Sequence, residues 1–237
     1  MPEKMMKTLL CCLFLMITSR TMALQDLGKN VALFPKESTT SYVILKSQVT
    51  TSLTSLTACV NFHTTLTRPF ALLSIANPGK FNDLLIYKNS TTSSKVFVGD
   101  EEIIFTTPES TMGWNHICAA WASSTGVVTL WQNGIPSPRK TMKKGYSIGT
   151  QPIIILGQDQ DSYGGSFEIN QSFEGEIANV QMWNFILSPY EMELAMANSN
   201  LIDGNVLEWR SLDYTLQGDV IIQPKLQYKT NCRCNGC

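Results

Sequence analysis

The sequence predicts an all-β fold, a sandwich of antiparallel sheets carrying one short helix. Three observations carry that reading. Short runs rich in branched and aromatic residues recur along the chain, bounded by turn residues. A single helical pattern interrupts them near residue 190. Strands do not alternate with helices in the βαβ manner, so a parallel sheet does not fit.

Taken from the start, residues 1–23 read as an export signal. Lys4 and Lys7 precede an unbroken apolar run from Leu9 to Ile17, and Thr21-Met22-Ala23 puts small residues where a signal peptidase reads. Nine apolar residues are too few to anchor a chain in a bilayer. The chain is therefore expected to be secreted, with no transmembrane anchor. The remaining 214 residues, enough for one substantial core, carry 15 basic against 18 acidic residues. Nucleic acid is not an expected partner. The small cluster Arg139, Lys140, Lys143, Lys144 reads as a solvated loop, with weak polyanion binding as the alternative.

Ser41 to Leu45, Leu56 to Phe62, Phe70 to Ile75, Leu84 to Tyr87 and Lys95 to Val98 form the first group of strands. His116 to Trp121 is followed by Gly126 to Trp131, which leads into an Asn133-Gly134 hairpin turn. Gln151 to Gly157 and Glu176 to Trp183 complete the set. Ser188 is an N-cap candidate, Pro189 suits the first helical position and Glu191 the third. That helix runs to Ala197, with Met192, Ala195 and Met196 on one face, and is expected to pack on a sheet.

Five of the seven cysteines follow the signal, in a compartment that oxidises thiols. Cys59 and Cys118 each lie in a strand, so a bridge between strands is natural. Cys232, Cys234 and Cys237 fall in a polar tail, residues 229–237. Two of them suit a local pair, leaving one thiol to join chains; a zinc triad there would lack a fourth ligand and a nearby His.

Catalytic constellations are absent. There is no nucleophile elbow, P-loop or dinucleotide fingerprint, and the two histidines, His63 and His116, do not form a triad. His116, two residues from Cys118, reads as structural. A glycosidase built on Glu174 and Glu176 requires the pair to share a strand face, and nothing isolates either as a raised-pKa acid. The chain is thus not expected to be an enzyme. Asn89-Ser90-Thr91 is a glycosylation sequon. Asn170-Gln171-Ser172 also matches, but a glycan there would crowd the loop described next.

That loop is the chemically richest segment: Asp159-Gln160-Asp161, then Ser162 to Gln171, with Glu168 and two adjacent glycines. Carboxylates and amide oxygens suit calcium, which takes six to eight oxygen ligands. The spacing is not that of an EF-hand, and a solvated acidic turn is the alternative.

Together these residues resemble the short pentraxins, the family of C-reactive protein and serum amyloid P component. His116-Ile117-Cys118-Ala119-Ala120-Trp121 is similar to the family signature His-x-Cys-x-Ser/Thr-Trp, departing at Ala120. Gly145-Tyr146, Ile155 through Gly165 and Gly175-Glu176-Ile177 through Trp183 also resemble the family core. The likeness runs from Phe34-Pro35-Lys36-Glu37 to Pro224-Lys225-Leu226, within a domain expected over residues 24–228. The resemblance implies a flattened β-jelly roll, lectin-like, with its helix opposite a two-calcium face, a Cys59–Cys118 disulfide and a homopentamer.

It further implies metal ligation by Asp159, the carbonyl of Gln160, Asp161, Glu168 and Gln171, with Asn82 serving the other ion. Phe81 stands where the family has an Asp, with Asp83 nearby as its replacement, so the Asn82 position is expected to be weakened. Tyr87, Phe97 and Glu102 match the ligand pocket, as an aromatic wall, a bulky ring of the amyloid P type, and the acid that faces choline nitrogen in C-reactive protein. Phosphoethanolamine or an anionic sugar is expected to bind better than phosphocholine. The implied role is calcium-dependent recognition, in innate immunity, of phosphate-bearing ligands or acidic carbohydrates, with complement or Fc-receptor contacts. The alternative is a pentraxin with a degenerate calcium site that works through protein–protein contacts.

Overall fold

The computed structural model describes residues 26–226, apart from 49, 111 and 198–200. The export signal and the cysteines Cys232, Cys234 and Cys237 lie outside the described residues.

Two antiparallel sheets face each other. The first orders β10 (Ile135–Pro136), β9 (Val127–Gln132), β8 (Asn115–Ala122), β3 (Ser55–His63), β13 (Gly175–Trp183), β1 (Asn30–Phe34) and β16 (Ile221–Pro224). Short β11 (Lys140–Thr141) adds to β9 and β14 (Leu207–Glu208) to β13. The second orders β15 (Tyr214–Gln217), β2 (Tyr42–Leu45), β12 (Ile153–Leu156), β4 (Phe70–Asn77), β5 (Lys80–Ser90), β6 (Ser93–Val98) and β7 (Glu101–Thr106). The all-β sandwich expected from the sequence is the fold. The loop that joins β12 to β13 crosses from the second sheet to the first.

Alternation along each strand decides what faces the core. Leu84 and Ile86 of β5 point between the sheets, with Phe62, Phe70, Trp121, Ile154, Phe173 and Trp209 in the same core. The rings of Phe34, Phe173, Phe70 and Phe62 chain edge-on through the centre, with centroids 5.4 to 5.9 Å apart. Leu85 and Tyr87 point the other way and form a small outer cluster with Ala71 and Phe97. The buried indoles are paired: Trp121 Nε1 donates to the Met142 carbonyl and Trp183 Nε1 to that of Asp203.

The helix α1 (Pro189–Met196) closes the outer face of the first sheet, where Met192 and Leu187 pack on Trp183 and on Cys59 and Cys118. Ser188 and Glu191 form a reciprocal capping box at its start. Cys59 and Cys118 are opposite one another in the β3–β8 register and joined, S–S 1.99 Å.

β13 begins at Gly175, so Glu174 precedes the strand and the condition for a strand face shared with Glu176 is not met. One expectation needs correction. The basic cluster is not simply solvated: Lys140 Nζ donates to the Ile104 carbonyl of β7 at 2.6 Å, and Lys143 Nζ lies 3.6 Å from Glu101. Both therefore brace β7, a strand whose acidic start hid it from sequence reading.

Candidate functional site

The carboxylate loop leaves β12 at Gly157. This residue has φ 83°, a conformation that favours glycine. A Cβ there would collide with the ring of Phe34, so glycine is required on steric grounds as well. Its N–H bonds the Leu72 carbonyl of β4 and its carbonyl accepts from Phe173 N–H at 2.9 Å, so the loop's two ends meet.

Between those ends, glutamine side chains turn inward and fasten the backbone. Gln158 Nε2 donates to the carbonyls of Ser38 and Ser41, at 2.5 and 3.0 Å. Gln160 is fully buried: its Nε2 donates to the carbonyls of Ser74 and Ile153, and its Oε1 accepts from Gly164 N–H. Ser162 and Gly165 then exchange two backbone bonds of 3.2 Å, closing the tip. The return path includes a 3₁₀ turn, Ile169–Gln171. Arg68 secures it, donating through Nη1 to the carbonyls of Asn170 and Ser172 and through Nε to Glu37.

This scaffold crowds like charges. Burial pushes the Asp159 carboxyl up to about 7, the neighbouring Asp161 and Glu168 add to the rise, and the N–H of Gln160 opposes it. Asp161 is raised too, by burial and then by Glu168. The same charges reach Tyr87: burial first, then Asp159, lift its hydroxyl to about 12, with Arg68 in partial opposition. Tyr87 on β5 therefore lies in the field of the carboxylate loop.

Three acceptor oxygens of the sequence-predicted ligand set are buried without a hydrogen-bond partner: Asn82 Oδ1, Asp159 Oδ1 and Gln171 Oε1. Unpaired buried acceptors are costly, and a bound cation would satisfy those it coordinates. The donor set therefore fits calcium chemically. Compactness is a separate matter. Among the described residues, the group of three ionisable ligand types with atoms within 4.8 Å of one another is Cys59, His116 and Cys118. Those sulfurs are spent in the disulfide and are not thiolates, so the group is not a metal centre. Burial holds His116 down at about 4, a neutral ring beside the bridge.

Asp83 is not the replacement for a lost ligand at Phe81. It is fully buried and committed: Oδ1 accepts from the Tyr146 hydroxyl at 2.5 Å, while Oδ2 accepts from Asn77 Nδ2 and Gly149 N–H. Phe81 itself is 40% exposed. Asn82 is placed by its N–H bonding Asp100 Oδ1 at 2.9 Å.

On the outer face of the second sheet, strand register assembles the expected pocket residues. Phe97 of β6 lies between Leu85 of β5 and Glu102 of β7, and Tyr87 lies opposite Lys95. Lys95 Nζ stands 2.9 Å from Glu102 Oε2. Lys95 and Arg68 are site residues that sequence reading missed. Lys95 had a findable signal, since it is two residues before Phe97 on a strand and so shares its face. Arg68 had none: its role is set by a loop a hundred residues later. Asn89, the sequon residue, is half-buried near the end of β5.

The Pentaxin family model matches residues 30–224. The chain is 44% identical over 224 residues to C-reactive protein of Mus musculus, covering 93% of this chain and 99% of that protein. Against C-reactive protein of Homo sapiens the identity is 43% over 223 residues, with coverage of 93% and 99%. In three dimensions the chain is similar to the native heptameric SAP-like pentraxin from Limulus polyphemus, with TM-score 0.74 and 22% identity over 86% of this chain and 97% of that one.

Proposed function

Because the chain belongs to the Pentaxin family and is a secreted, non-catalytic recognition protein, we propose that it works with a degenerate calcium centre. One cation position, built on Asp159, Gln160, Asp161, Glu168 and Gln171, is kept in weakened form. The other, which would use Asn82, is lost, and contacts from the protein's own side chains, including protein–protein contacts, carry the recognition. The observation that supports this most directly is the pairing of Phe81 with a sequestered Asp83: neither sequence neighbour of Asn82 offers a free carboxylate. Fewer charged oxygens mean weaker calcium binding. Calorimetric titration of the mature protein tests it, with at most one calcium per chain expected and dissociation on the order of 10⁻⁴ M or weaker. Two tight, equivalent sites would sink the proposal.

A second reading is favoured by the three unpaired buried oxygens: calcium at the Asp159 position suffices to hold a phosphate-bearing or acidic carbohydrate ligand against Tyr87. Five such sites in a homopentameric ring would compensate for weak individual binding. Calcium-dependent retention on a phosphoethanolamine column, released by chelator, separates it from the first reading. Light scattering of the mature protein tests the ring.

A further inference from the structure

One lysine lies where the strand pattern calls for an apolar residue. After Leu84 and Ile86, Lys88 is the next position of β5 on the face between the sheets, level with Phe70 of β4 and Ser94 of β6. It is fully buried. Its ammonium has three N–H donors but only two acceptors, both neutral: Gln132 Oε1 of β9 at 2.9 Å and Thr107 Oγ1 at 3.4 Å. None of the ion pairs among the described residues includes it. Ser94 Oγ, on the same face, is buried without a hydrogen-bond partner. A buried charge that meets only neutral groups is costly. Burial lowers this amine only to about 8, so near neutral pH most molecules carry the charge.

The same lysine forms part of the wall of a cavity of about 300 Å³, at the lower end of the size range of ligand pockets. Three connections enclose it: β3 to β4 with Thr65 and Thr67, β5 to β6 with Thr91, and β7 to β8 with Glu109. They are tied to one another. Ser110 N–H donates to the Thr91 carbonyl and Thr107 N–H to that of Thr92, both at 2.9 Å, while Gln132 Nε2 donates to the Pro108 carbonyl. Phe62 and Phe70 supply an apolar wall, and exposed Glu109 is the one other charged residue among the described lining. These charges define a ligand class. Lys88 admits one negative charge, the rings suit an apolar body, and Glu109 opposes a second negative charge. We propose that this cavity binds a small aliphatic monocarboxylate, its carboxylate accepting from the Lys88 ammonium and its chain lying along Phe62 and Phe70. Lys88 is sealed from solvent as it stands, so its flexible arm turns toward the ligand and gives up the long Thr107 contact. The site is separate from the Asp159 loop. Tyr87 belongs to the outer cluster, and Lys88 beside it on the strand faces the opposite side of the sheet, so uptake needs no calcium.

Calorimetric titration of the mature protein in chelator tests this with three six-carbon probes: hexanoate, 1-hexanol and hexane-1,6-dioate. Hexanoate is expected to bind about tenfold or more tightly than hexanol, the scale of a hydrogen bond to a charged group, and more tightly than the dioate. Lys88→Met removes the margin over hexanol, and Glu109→Gln narrows the gap to the dioate. A second readout serves if Lys88→Met does not fold. A bound carboxylate favours the charged amine, so at pH 8.5 hexanoate binding to the parent takes up protons, and its heat varies with the ionisation enthalpy of the buffer. The inference is overturned by no hexanoate binding, by equal binding of hexanoate and either other probe, by a margin that survives Lys88→Met, or by uptake without protons. Because chelator is present throughout, none of these results bears on the cation at Asp159.

Discussion

Asp159 is held in a state that costs stability without a counter-ion: buried, next to Asp161 and Glu168, with one oxygen unpaired. Asp159→Asn should raise the melting temperature of the calcium-free protein by a few °C, about 1 kcal/mol at this size. It should also abolish the rise that calcium produces in the parent; thermal melts with and without calcium check both. Lys88 is a second buried charge, with neutral partners Gln132 Oε1 at 2.9 Å and Thr107 Oγ1 at 3.4 Å. Burial lowers its amine to about 8. Between about pH 8 and the ordinary lysine value the unfolded chain holds a proton that the native chain has released, so stability rises with pH across that window. The rise is at most about 3 kcal/mol; it should be missing in Lys88→Met, as denaturant midpoints at pH 7.5 and 10 would show. At this scale the carboxylates were legible because their residue types announce their chemistry. Asp83 and Lys95 were not, because the role of each depends on which partner the register sets beside it.

Among elements, the loop from Gly157 to Phe173 depends on its first residue. Gly157→Ala places a Cβ against Phe34 at a positive φ, and a loss of about 2 kcal/mol or more is expected. Chemical denaturation measures the loss, and calorimetry on the folded variant should show weakened calcium uptake, since the loop's stem has shifted. The helix answers to a different term: Ser188→Ala removes half of its capping box and should cost about 1 kcal/mol. Long apolar strands such as β4 and β13, and the capped helix, were readable from pattern alone. β7 was not, since Glu101 and Glu102 open it and its stability comes from β6 and the Lys140 brace rather than from its own composition. Glu174 lies one residue before β13, outside the strand read from Glu176 to Trp183, so the two carboxylates do not share a strand face.

For the whole molecule, the two outer faces are divided: α1 covers the disulfide side, and the aromatic patch of Ala71, Leu85, Tyr87 and Phe97 lies on the other. Removal of residues 1–23 predicts that the secreted protein begins at Leu24, which N-terminal sequencing reads directly. Glycosidase treatment should lower its mass by one Asn89-linked glycan, and non-reducing electrophoresis reports whether the tail joins chains. The brace on β7 has a consequence for solubility. β7 is the outermost strand of its sheet, and an open strand edge is a template on which another chain can polymerise. The ammonium of Lys140 occupies one carbonyl of that edge and sets a hydrated charge where a new strand would need to lie flat. A modification that removes this charge, acetylation among them, is expected to leave that border open to a further strand.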